Sequence, residues 1–111
     1  MSLSLRLPDS LPDGAFDATL ILRTLPEQSF RLNVALNPGV GAAVEPVSFY
    51  IYGRGVGGEA AEKPHLVAHF DAATVRQRAR AGGNALVLTA EDLSGQPLDT
   101  SLLDLEAISV V

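Results

Sequence analysis

The chain has no cysteine and no tryptophan, one methionine, and only six aromatic residues, two of them tyrosine. Without cysteine there is no disulfide scaffold, no thiolate zinc site and no cysteine nucleophile, and the redox compartment is left undetermined. Positive charge is scarce: 8 basic residues face 13 acidic ones, a net charge of −5. General electrostatic attraction to nucleic acid or to an anionic membrane is not expected from that balance. No apolar run approaches the ~20 residues needed to cross a bilayer. The start, MSLSLRLPDSLPDG, lacks a basic segment and is broken by Ser2, Ser4, Arg6, Pro8 and Pro12. It does not read as a secretory signal, so the default expectation is a cytoplasmic protein.

What is present is apolar and patterned. The 111 residues are 47% hydrophobic, which argues against disorder and for a single domain spanning 1–111. Folding a chain of this size removes about 11,000 Å² from water, enough for a core without staples.

Period-two alternation dominates. Leu3, Leu5 and Leu7 alternate with polar residues in a short edge strand ending at Pro8. Phe16, Ala18, Leu20 and Leu22 share one face of the next segment, and Ile21 falls on the other. In FRLNVALN, Phe30, Leu32, Val34 and Leu36 oppose Arg31, Asn33 and Ala35, and Asn37-Pro38-Gly39 closes the run. In VSFYIYG, Val47, Phe49 and Ile51 oppose Ser48, Tyr50 and Tyr52. HLVAHF, ALVLTA and LLDLEAISVV read as three further strands, with Ser94-Gly95-Gln96-Pro97 as a turn. The period changes once. DAATVRQRARAGG reads as a short helix near residues 71–81, with Asp71 as N-cap and Gly82 or Gly83 as C-terminal left-handed residue. About seven short strands and one helix make an all-β, jelly-roll-like β-sandwich.

Candidate chemistry is thin. His65 and His69 would share a metal on a helix, but on a strand they lie roughly 13 Å apart, so a surface or inter-sheet role is expected. Arg76, Arg78 and Arg80 occupy the late turns of the helix, where positive charge complements the dipole; an oxyanion clamp is the functional alternative. GRGVGG lacks the Lys-Ser/Thr end of a phosphate loop and precedes a strand, so Gly53 to Pro64 reads as a connection. The acids Asp9, Asp13, Asp17, Asp92, Asp99 and Asp104 are scattered without a calcium-loop spacing. No serine-nucleophile motif stands out, so neither enzyme activity, nor a cofactor, nor a bound metal is expected. Tyr50 and Tyr52 are the remaining lead. Such a pair either packs across strands beneath a loop or anchors a protein or a sugar.

The segments FRLNVALN, VSFYIYGRG, HFDAATVRQRARAGG, ALVLTAEDLSG and LLDLEAISV, in that order, resemble the C-terminal β-sandwich domain of tyrosinases and polyphenol oxidases. Phe30 to Asn37, Val47 to Gly55, His69 to Thr74 and Leu86 to Val111 carry the likeness, with Gly53, Gly55, Phe70 and Asp71 its most specific positions. In that family the chemistry sits in a separate helical domain, where histidines hold two copper ions, and the sandwich covers that site. This chain has two histidines and cannot supply such a set. The resemblance therefore implies a non-catalytic accessory or assembly subunit docking on a type-3 copper oxidase. The alternatives are a small-ligand or carbohydrate-binding module and a self-assembling homo-oligomer. The surface expected to carry binding comprises Tyr50, Tyr52, Arg54, Arg76 and Arg80.

Overall fold

A computed structural model of the chain describes residues 2–7, 14–22, 28–39, 46–52, 65–79, 83–100, 103 and 105–111. The elements follow as β1 (Leu3–Arg6), β2 (Phe16–Leu22), β3 (Phe30–Leu36), β4 (Val47–Ile51), β5 (His65–Phe70), α1 (Ala72–Arg78), β6 (Ala85–Glu91), β7 (Pro97–Leu98) and β8 (Leu105–Val110). They build two antiparallel sheets. The larger has the order β1-β6-β3-β4, with β7 also paired to β6, and the smaller has the order β5-β2-β8. The architecture is the expected all-β sandwich with one short helix.

Alternation explains why the sheets stack. Phe30, Leu32, Val34 and Leu36 of β3 are at most 1% exposed, and Phe16, Ala18, Leu20 and Leu22 of β2 at most 2%. Each strand lies in the interior of its own sheet and turns this apolar row toward the other. Leu86, Leu88 and Ala90 of β6, Ala68 and Phe70 of β5, and Val75 of α1 complete one continuous core. Phe16 and Phe70, register partners across β2 and β5, put their ring centroids 5.2 Å apart. Truncating a fully buried leucine such as Leu32 would cost about 2–5 kcal/mol.

Three local expectations are revised. The connection after β6 is a turn, but it returns into β7, which pairs Pro97 and Leu98 with Glu91 and Ala90. The Asp92 carboxylate organises it, with Oδ1 accepting from the Ser94 and Gln96 N–H groups and the Ser94 hydroxyl. These bonds hold its pKa below the ordinary value. The helix starts as expected, with Asp71 Oδ1 accepting from Thr74 N–H at 2.8 Å. It ends earlier, because Ala79 takes an extended conformation as C-cap. Gly83, although left-handed at φ 73°, therefore leads into β6 instead of capping the helix. Finally, Arg78 does not reach into solvent at the helix end; it is buried, at 5% exposure.

Arg78 turns inward to a polar junction built on Asn37. At the end of β3 Asn37 has φ 42°, a left-handed conformation that asparagine tolerates better than most residues. Its N–H still donates to the Ala85 carbonyl, continuing the ladder with β6. Its own carbonyl turns away and accepts from the Arg78 guanidinium at 3.2 Å. The side-chain Oδ1 takes the vacated role, accepting from Ala85 N–H at 2.9 Å. Nδ2 donates to the Arg78 carbonyl at 2.7 Å and to Asn84 Oδ1 at 2.8 Å. Asn84 in turn offers its carbonyl to Leu7 N–H, extending the pairing of β1 with β6. One buried side-chain amide thus ties β1, β3, α1 and β6 together.

Each partner left unpaired in such a site costs about 1–3 kcal/mol. Asn37→Ala is therefore expected to lower unfolding free energy by about 3 kcal/mol or more in urea titrations. Asn37→Gly should lose about 1 kcal/mol less, since glycine adopts a left-handed conformation without strain. Equal stability of the wild type and both variants would show that the junction is incidental.

Candidate functional site

The pairing of β4 with β3 and of β3 with β6 builds a polar outer face on the larger sheet. In register, Tyr50 lies across from Arg31, and Arg31 across from Glu91; in the next row Ser48, Asn33 and Thr89 align. Tyr52 follows β4 and is placed with Tyr50 by alternation. The two tyrosines are 68% and 71% exposed. They lie on the outer side of the sheet, while Val47, Phe49 and Ile51 take the inner face.

Arg31 organises the patch. Its guanidinium carbon sits 5.8 Å from the Tyr50 ring centroid, within cation–π range. One terminal nitrogen lies 3.2 Å from Glu91 Oε1, and the other donates to the Ser48 hydroxyl at 3.2 Å. The Ser48 hydroxyl in turn donates a hydrogen bond to Asn33 Oδ1 at 2.7 Å. The result is a chain of polar groups, Glu91–Arg31–Ser48–Asn33, beside an exposed phenol. A pair this open contributes little to stability, typically under about 1 kcal/mol. Its structural effect is to fix the plane of the guanidinium and hence the setting of Tyr50. Arg31 Nε is buried with no hydrogen-bond partner among the described residues.

The remaining expected residues fall elsewhere. Arg76 is exposed on α1, on the Asn37 side of the sandwich, about 20 Å along β3 from the Arg31 row at ~3.3 Å per residue. Arg54, Arg80 and the glycine-rich connection of 53–64 lie outside the described residues. His65 and His69 are both on β5, where alternation puts them on the same, exposed face. His69 Nδ1 lies 2.6 Å from Asp17 Oδ1, joining β5 to β2. Among the described residues no group of three metal-ligand side chains gathers, and no helix is long and apolar enough to cross a membrane.

Arg31 and Asn37 were not legible as site or junction residues. Arg31 became significant only through the β3–β4 and β3–β6 registers. The one available signal was its position on the polar side of FRLNVALN, the segment that precedes the strand carrying Tyr50.

No family model, curated protein or solved structure matches this chain.

The Arg31 row is thus a surface feature whose removal the fold should tolerate. Arg31→Met is expected to change unfolding free energy by less than about 1 kcal/mol. A loss of about 3 kcal/mol in chemical denaturation would make the row a structural element instead.

Proposed function

We propose that the chain is a non-catalytic β-sandwich module that binds a protein partner through the outer face of its larger sheet, with Tyr50 and Tyr52 as anchors. The observation that carries this reading is the exposure of two neighbouring tyrosines, 68% and 71%, beside a guanidinium held by Glu91 and Ser48. Tyrosine and arginine are the residue types that dominate binding energy at protein interfaces. Both offer large contact area with a polar tip, and a pre-set side chain loses less entropy on binding. A β-sheet face also presents them on a rigid support. The resemblance to the sandwich domain of tyrosinases supplies the partner to look for first, a type-3 copper oxidase whose active site such a module would cover.

One feature favours a second reading. The neutral row Ser48, Asn33 and Thr89 beside Tyr50 offers hydroxyl and amide groups next to an aromatic face, which is the chemistry that receives a sugar.

The test is a tagged pull-down from the native host, run in parallel with the wild type and the Tyr50→Ala/Tyr52→Ala variant. A partner held by the wild type should be lost from the variant by about 30-fold or more, the equivalent of one hot-spot residue at ~2 kcal/mol. The variant should keep the wild-type unfolding midpoint. Equal retention by both chains contradicts the proposed face. Recovery of further copies of the chain alone would make the face a self-association surface, and hits confined to a glycan array would favour the sugar reading.

A further inference from the structure

The smaller sheet sets a second row of chemistry-bearing side chains along its β5 edge. β2 is central in that sheet, between β5 and β8. Asp17 of β2 exchanges both of its backbone hydrogen bonds with Val111, on the β8 side. Backbone groups alternate in direction along a strand. Phe16, Ala18 and Leu20 therefore turn theirs to β5, where Phe70, Ala68 and Leu66 are their register partners. The N–H and C=O groups of His65, Val67 and His69 point the other way, along an edge that no other described strand pairs. The same three residues carry their side chains on the outer face, with both histidines exposed and Val67 53% exposed. HLVAHF has none of the usual edge protection: no lysine, no proline, and no bulge in its pairing with β2.

We propose that β5 pairs antiparallel with β5 of a second copy about Val67, and that the pair binds zinc between His65 of one copy and His69 of the other. The occupant follows from the order of residues in the strand. With Val67 opposite its counterpart, each His65 falls opposite the partner's His69, so every outward-pointing residue of β5 meets another. A two-fold centred on Leu66 or Ala68 sets one histidine against Val67 and the other against a residue outside β5. Opposed residues in a hydrogen-bonded pair have Cα atoms about 5.5 Å apart and side chains on one face. Two such imidazoles can share an ion held at ~2.0–2.1 Å from each nitrogen. Along one strand the histidines lie roughly 13 Å apart, so the site is incomplete without the second copy.

A further observation points to a metal ion. The Asp17 carboxylate lies 2.6 Å from His69 Nδ1, across the β2–β5 pair. A carboxylate on one ring nitrogen orients the imidazole, raises its basicity and leaves Nε2 for an ion, as is usual for metal-bound histidine. Imidazole ligands favour zinc over magnesium, which prefers oxygen.

The test is sedimentation velocity of the full chain, without a polyhistidine tag, in EDTA, magnesium chloride or zinc chloride. Zinc, and not magnesium, is expected to lower the dissociation constant of the dimer by about tenfold or more relative to EDTA. His65→Ala and His69→Ala should each abolish that response and, both side chains being exposed, keep the wild-type unfolding midpoint. An equal mixture of the two variants tests the register. One chain then supplies His69 and the other His65, so the mixed dimer regains one of its two sites and the zinc response returns. Association unchanged by zinc would overturn the proposal. So would either variant alone responding as the wild type does, or a mixture that fails to recover. Self-association through the tyrosine face would survive both histidine substitutions, so failure here is separate from failure of that face.

Discussion

Everything described on the larger sheet depends on the register between β3 and β6, and the Asn37 junction pins that register at one end. The left-handed turn at Asn37 takes its carbonyl out of the ladder, and its side-chain oxygen fills the gap by accepting from Ala85 N–H. A slip of one residue would leave that amide, the Arg78 carbonyl and Asn84 Oδ1 without partners in a buried site, and would turn every β3 side chain to the opposite face. The register so fixed places Arg31 between Tyr50 and Glu91. The geometry of the proposed binding face is therefore set about 20 Å away from it, at ~3.3 Å per residue along β3.

Stability and the proposed recognition fall on different faces of the larger sheet. The inner residues of β2 and β3 are close to fully buried, and a single truncation there would cost about 2–5 kcal/mol. The outer row is worth little to folding, because the Arg31–Glu91 pair is partly solvated. A row that contributes so little to the fold is free to be specified by what it contacts. That division is why exposed tyrosines on a sheet with a well-packed inner face support a binding role, whereas the same residues in a poorly packed sheet would not.

Where a structure was written in short-range alternation, it was legible. Leu3, Leu5 and Leu7 marked an edge strand, FRLNVALN marked a strand with one buried row, and Asp71 marked the start of a helix; each stands where the pattern placed it. The features that escaped depend on pairing between distant segments. Two residues, Pro97 and Leu98, are too few to show a period, and they form β7 only because the Asp92 turn aims them back at β6. Arg78 looked like a helix-end cation, and its contact with the Asn37 carbonyl comes from a residue 41 positions away. For the tyrosines, period two put both on one face but could not say whether anything lay over them. Both are exposed, at 68% and 71%.

The central claim, that the Asn37 junction holds the register of the larger sheet, is tested most directly by residue-resolved amide hydrogen exchange under native conditions. The Asn37, Ala85 and Leu7 amides all donate within or beside the junction. They should exchange through the same cooperative opening as the interior amides of β3 and β6, with comparable protection. Exchange about a hundredfold faster at Asn37 and Ala85 than at Val34 and Leu88, a gap of ~2.7 kcal/mol, would show that the junction opens while the sheet stays intact. The register would then be held by the core alone.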